Sequence, residues 1–165
     1  MITIEQKDLD KARSEGMDEF LQLFVDAYIY LIDNQLDRNN MEALNGEQHT
    51  LLAYSLFRDE IMQGGFCQLI QNGYGPYIFD NPFAKTMRIW GAQDFSKLIY
   101  KAKKIYDEHK LDLEKERNDE EFMAMYVDYE LFDEIEEQYF EMEEEITGLI
   151  AEYVEENLGL FAKIV

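Results

Sequence analysis

Apolar residues recur every three to four positions through most of the chain, and that spacing predicts helix after helix. In "MDEFLQLFVDAYIYLIDN" the positions Phe20, Leu21, Phe24, Val25, Tyr28, Leu31 and Ile32 mark one buried helical face. "DNQLDRNNMEALNG" reads as a connection, because Asn, Asp and Gly favour turns. "EQHTLLAYSLFRDEIMQ" predicts a second helix that buries Leu51, Leu52, Ser55, Leu56 and Met62 or close neighbours. Gly64-Gly65 then interrupts it, and "FCQLIQN" predicts a short third helix. "YGPYIFDNP" reads as a loop, with Pro82 in the first turn of a fourth helix, "PFAKTMRIW". Gly91 ends that helix, "AQDFSKLIYKAKKIYDEH" forms a fifth, and "KLDLEKERND" is a charged connection.

The last segment has the sharpest pattern. Phe132, Ile135, Tyr139, Met142, Ile146, Leu149 and Tyr153 alternate at spacings of three and four over three heptads, one apolar seam on a long helix. Such a seam can bury against the rest of the chain or against a second copy, so a homodimer is one arrangement it allows. The expected fold is all-α, a single-domain bundle of about six to eight helices over residues 1–165, with residues 1–16 a flexible or extra N-terminal segment.

Composition agrees with this pattern. With 47% hydrophobic residues and 14% aromatics, the chain has enough to fill a core. Only two prolines occur, as long helices require. The single cysteine, Cys67, cannot form an intrachain disulfide. The charged N-terminus "MITIEQKDLDKARSEG" has no apolar signal core. "FLQLFVDAYIYLI" is interrupted by Asp26 and is too short to span a bilayer. A cytoplasmic protein is expected.

Charge changes the picture more. Thirty-six acids against 15 bases give −21. Residues 111–165 hold 19 of those acids and 3 of the bases. Between Asn118 and Glu145 there are 13 carboxylates and no Lys or Arg. If helical throughout, that stretch would be about 42 Å long, with one carboxylate per ~3 Å, close to the ~3.4 Å phosphate spacing of one DNA strand. Like charges at helical spacing repel, so the apolar seam must outweigh them. Direct binding to nucleic acid or to an anionic membrane is excluded on this balance; basic partners are favoured. A face kept acidic for solubility alone is the plain alternative.

No catalytic or metal constellation emerges. His49 and His109 do not follow a Glu by three positions, so the di-iron Glu-x-x-His pattern is missing. "DNQLDRNNMEAL" has Arg38 where a calcium loop needs its glycine. Gly64-Gly65 lacks the Gly-Lys-Ser/Thr ending of a phosphate loop. Cys67 has nothing nearby to activate it and reads as a buried thiol. No cofactor is expected.

One motif remains, "EIMQGGFCQLIQNGYG". With "AKTMRIWGAQDFSKLIYKAKKIY" and the late "FDEIEEQYFEMEEEITGLIAEYVEENLGLF", it resembles a bacterial family of small helical proteins, largely of unknown function, that includes a DNA-mimic protein. The resemblance covers about residues 47–161. Its positions here are Glu60, Gly64, Gly65, Phe66, Gln68, Asn72, Gly75, Gly91 and Ala92, with Asp133 and Tyr139 in a looser late element. It implies an all-α fold. One member imitates DNA, occupying the DNA-binding surface of a transcriptional regulator as a dimer, which makes mimicry an expectation here.

The motif also has a physical reading of its own. Paired glycines allow a close approach or a positive φ, Phe66 anchors the turn in the core, and Gln68 and Asn72 lie on one helical face. Their amides can satisfy backbone groups, each other or Glu60. Alternatively, Glu60, Gln68, Asn72 and Tyr74 line a polar pocket for a small ligand or an enzymatic site. The favoured expectation is a non-enzymatic interaction protein that binds a basic protein, such as a DNA-binding regulator, through Glu130, Asp133, Glu134, Glu137, Glu141, Glu144 and Glu145.

Overall fold

The computed structural model describes residues 2–165. The fold is all-α, with nine α-helices among the described residues, seven of them at least seven residues long. Two compact units divide the chain, one formed by residues up to Ser55 with Glu145–Val165, the other by Leu56–Glu144. No helix among the described residues is long and apolar enough to cross a membrane.

The first unit begins with a two-residue strand β1 (Thr3–Ile4) and helices α1 (Gln6–Glu15) and α2 (Met17–Leu31). The N-terminal segment is thus a helix with Leu9 and Ala12 buried, and Gly16 turns the chain between α1 and α2 at φ 133°. Helix α3 (Gly46–Gln71) begins in this unit. Its start is a capping box, since Asn45 Oδ1 accepts from Gln48 N at 2.8 Å and Gln48 Oε1 accepts from Asn45 N at 2.9 Å. The unit also holds the end of α8 (Leu131–Glu156), the short α9 (Leu158–Phe161) and strand β2 (Lys163–Ile164), which pairs parallel with β1. Phe24, Tyr28, Ile150, Val154 and Phe161 are fully buried. Tyr28 Oη and Gln48 Nε2 both donate to the Phe161 carbonyl at 2.9 Å. Leu31 is 46% exposed, so the buried face of α2 ends at Tyr28, and Ile32 is buried just beyond the helix.

The second unit holds the rest of α3, then α4 (Gly75–Phe79), α5 (Phe83–Ile89), α6 (Gln93–Glu114), α7 (Asp119–Asp128) and the start of α8. Its core is aromatic. Phe57 meets Tyr139 and Phe95 edge to face at centroid distances of 5.0 and 5.2 Å, and Phe79 stacks on Tyr106 at 4.8 Å. Four details depart from the sequence pattern. "YGPYIFDNP" contains a helical turn, α4, which buries Ile78 and Phe79. Helix α6 breaks its geometry at His109 (φ −125°, ψ 18°) but continues to Glu114, where Leu113 is buried. Along α3 the buried stripe passes through Tyr54, Phe57 and Ile61, leaving Met62 54% exposed. On α8 the apolar seam keeps its expected register through Ile146, which is buried, and leaves it beyond. Thr147, Ile150 and Val154 are buried there, while Leu149 and Tyr153 are only partly so, because a straight helix of 3.6 residues per turn drifts from a 3.5-residue repeat.

Candidate interaction surface

The Gly-Gly motif sits inside the second unit. Helix α3 runs through Gly64 and breaks at Gly65, whose φ of 72° and ψ of −167° are open to glycine almost alone. Glycine is required here for a second reason. A Cβ on Gly65 would lie 2.6 Å from Oε1 and 2.7 Å from Cδ of Glu136. That carboxylate reaches in from α8 and accepts the Phe66 N–H on Oε2 at 3.0 Å. Across the same turn, Tyr126 Oη donates to the Gly64 carbonyl at 2.8 Å. Phe66 is fully buried and stacks on Phe132 at 5.0 Å, fixing α8 to the turn. Gly64 leaves room for Gln68, whose side chain folds back over it. Gly75 lets the chain pass close to Tyr106, 2.7 Å from where a Cβ would stand.

Glu60, Gln68 and Asn72 come together. Gln68 Nε2 and Asn72 Nδ2 both donate to Glu60 Oε2 at 2.9 Å, so one carboxylate before the break clasps two amides beyond it. Tyr74 is half-buried nearby in the chain. Both amides turn a donor into this clasp, an arrangement that serves the turn's geometry. Cys67 is buried, and loss of solvation, with Glu136 and Asp133 adding to it, pushes its thiol up to about 12.

Glu136 is absent from the residues singled out by sequence. Burial pushes its carboxyl up to about 7, the Phe66 N–H opposes that, and Asp133 adds to it. The available signal is helical spacing: Glu136 and Glu143 follow Phe132 and Tyr139 by four residues, on the flank of the buried seam. Both are partly buried. Glu143 pairs with Arg58 at 2.8 Å.

The other carboxylates of this region face solvent. Glu130, Asp133, Glu134, Glu137, Glu141, Glu144 and Glu145 are all exposed. Within the second unit the α8 members Asp133, Glu134, Glu137, Glu141 and Glu144 share one face, opposite the buried Phe132, Ile135 and Tyr139. They spread over about 16 Å of axis, one charge per roughly 3–4 Å. The row does not extend back to Asn118 as one rod. Helix α7 ends at Asp128, and α8 starts at Leu131 after a turn at Tyr129 and Glu130. Tyr129 is buried there and donates its hydroxyl to Asp112 Oδ2, so the turn is held by an inward aromatic rather than by Gly or Pro. From residue 118 to residue 162 the chain has no Lys or Arg, so neither α7 nor α8 supplies a cation of its own to this row.

Comparison with known proteins agrees with the family resemblance. The chain is 31% identical over 153 residues to the DNA mimic protein DMP19 of Neisseria meningitidis serogroup B, covering 92% of each chain. The model of the family described as "DMP19-like protein" matches residues 42–157. The match spans the Gly-Gly turn, its Glu60 clasp and the exposed carboxylates of α8, and the chain belongs to the DMP19-like protein family.

Proposed function

We propose that this protein is a non-enzymatic DNA mimic of the cytoplasm, which uses the exposed face of α8 to occupy the DNA-binding surface of a basic protein. The observation that carries the proposal is the row formed by Asp133, Glu134, Glu137, Glu141 and Glu144, set on one helix at a linear charge density near the ~3.4 Å spacing of phosphates on one DNA strand. The relative whose name records DNA mimicry supports it. Unlike a flexible acidic tail, these carboxylates stand on a backbone anchored by Phe132, Ile135 and Tyr139, so little ordering entropy is lost when a partner binds.

The test has two steps. The protein is used as bait for DNA-binding proteins, which are eluted in salt steps or with duplex DNA. The captured protein is then purified and its binding to labelled duplex measured in competition. Raising salt from about 0.15 M to about 1 M shortens the Debye length from ~8 to ~3 Å and should release the partner, and duplex DNA should release it at low salt. Each exposed charge contributes up to about 1 kcal/mol, so Glu134→Gln, Glu137→Gln, Glu141→Gln and Glu144→Gln together should weaken competition at least about tenfold. Capture indifferent to salt and to DNA, or a variant that competes as well as the parent, would refute the proposal.

A further inference from the structure

Helix α7 carries an apolar feature that the proposed function leaves unused. It is started by a capping box between Asn118 and Glu121 and held by few inward groups: Met125 is buried, Tyr129 follows it into the core, and Tyr126 bonds the Gly64 carbonyl. On its outer side Met123 and Val127 stand one turn apart, 65% and 74% exposed, and Leu131 follows at 62% where α8 begins. Met123 and Val127 share one face of α7, and Leu131 lies four residues on, past the turn. Water is a poor environment for three such large apolar side chains, whereas the apolar face of a partner helix suits them. Asp119, Asp128 and Glu130, all exposed, lie within four residues of these side chains in the chain.

We propose that the Met123–Val127–Leu131 stripe docks an amphipathic basic helix of the partner, apolar side against the stripe and Lys or Arg side chains on the flanking carboxylates. Charge complementarity selects this occupant. A second copy would bring the same stretch of residues 118–162, which has 16 carboxylates and no Lys or Arg, against its own kind. The inference rests on the proposed function in taking the partner to be basic, and it adds that recognition is not purely electrostatic. The stripe would add a part of the affinity that salt does not screen, too small to keep the partner bound once the α8 row is screened, and methionine would let it accept more than one helix sequence.

Two synthetic peptides of equal length and equal lysine count, one with a leucine stripe at helical spacing and one with glutamine in its place, separate the contributions. Binding is read by fluorescence anisotropy. The leucine peptide should bind at least about tenfold more tightly, and Met123→Gln, Val127→Gln and Leu131→Gln together should abolish that advantage while leaving the glutamine peptide unaffected. These side chains are exposed, and circular dichroism checks that the variant keeps its helices. Equal binding of the two peptides, or a triple variant that still prefers the leucine peptide, overturns the inference and leaves the proposed function standing. If neither peptide binds at low salt, the electrostatic reading fails and takes this one with it. A dimer that the triple variant dissociates, with peptide affinity unchanged, would assign the stripe to a second copy and overturn it as well.

Discussion

Replacing Glu136 by glutamine isolates the one carboxylate of the acidic helix that reaches the glycine break. The side chain keeps its shape, and an amide oxygen can still accept the Phe66 N–H, but the group can no longer ionise. In the folded protein burial pushes this carboxyl up to about 7, from an ordinary 4.5. The folded state therefore holds the proton more tightly than the unfolded state between those two values. The stability this group contributes is fully present below about 4.5 and is lost as pH rises through about 7. At about 1.36 kcal/mol per pH unit, the interval sets an upper bound of about 3 kcal/mol. The carboxylate is still partly in reach of solvent, which screens it, so about 1–2 kcal/mol is expected. Urea unfolding of parent and Glu136→Gln variant at several pH values from about 5 to about 8 measures it. The other carboxylates titrate alike in the two proteins and cancel in the difference. That difference should move by about 1–2 kcal/mol in favour of the Glu136→Gln variant as pH rises. A difference flat to within a few tenths of a kcal/mol, or an NMR titration of the Glu136 carboxyl centred near its ordinary value, would refute the reasoning.

Three further outcomes follow from the same unit. Gly65→Ala should destabilise by about 2–4 kcal/mol, through about 1–3 kcal/mol of backbone strain plus the clash with Glu136; calorimetry checks it, and adding Glu136→Ala should restore part of the loss as a coupling of about 0.5–3 kcal/mol. Glu60→Ala deprives Gln68 and Asn72 of their shared acceptor; because both amides reach water, the cost should be only about 1 kcal/mol, visible as faster hydrogen exchange in residues 66–72. Cys67, buried with its thiol pushed up to about 12, should resist a thiol reagent at about pH 8 in the native protein and react at once in urea; rapid native labelling would contradict its burial.

The helices are legible in the sequence because their apolar spacing is strong and their ends carry ordinary signals. The break at Gly65 falls within the Gly-Gly pair that signals it, and α2 lies where its apolar face places it. Three features are harder to see, each for a physical reason. The turn that splits the acidic stretch has no Gly or Pro; it exists because Tyr129 turns inward to Asp112, a contact between residues 17 apart. The one-turn helix α4 hides in a segment rich in loop formers, and only the burial of Ile78 and Phe79 favours helix over loop there. Heptad counting misplaces the far end of the α8 seam, since the real helix keeps about 3.6 residues per turn. The exposed face is readable at once. Asp133, Glu134, Glu137, Glu141 and Glu144 recur at helical spacing, and an acid opposite an apolar seam must face water.

Glu136 joins two features that lie far apart in the sequence. The glycine break is shaped to admit its carboxylate, and Phe66, next in the chain, both donates to it and stacks on Phe132 of the same helix. These contacts fix the rotation of α8 about its own axis. Phe132 and Tyr139 are buried one turn to either side of Glu136, whereas Asp133, Glu134 and Glu137 are turned outward. A rotation of α8 by one residue, about 100°, would bury carboxylates of the row and expose Phe132. On the proposed function, the motif would therefore act through the orientation of α8. Loosening it by Gly65→Ala should blur the charged row and weaken partner binding even where the carboxylates themselves are untouched, which the competition assay reads directly. Unchanged competition by a destabilised but folded Gly65→Ala protein would separate the motif from recognition altogether.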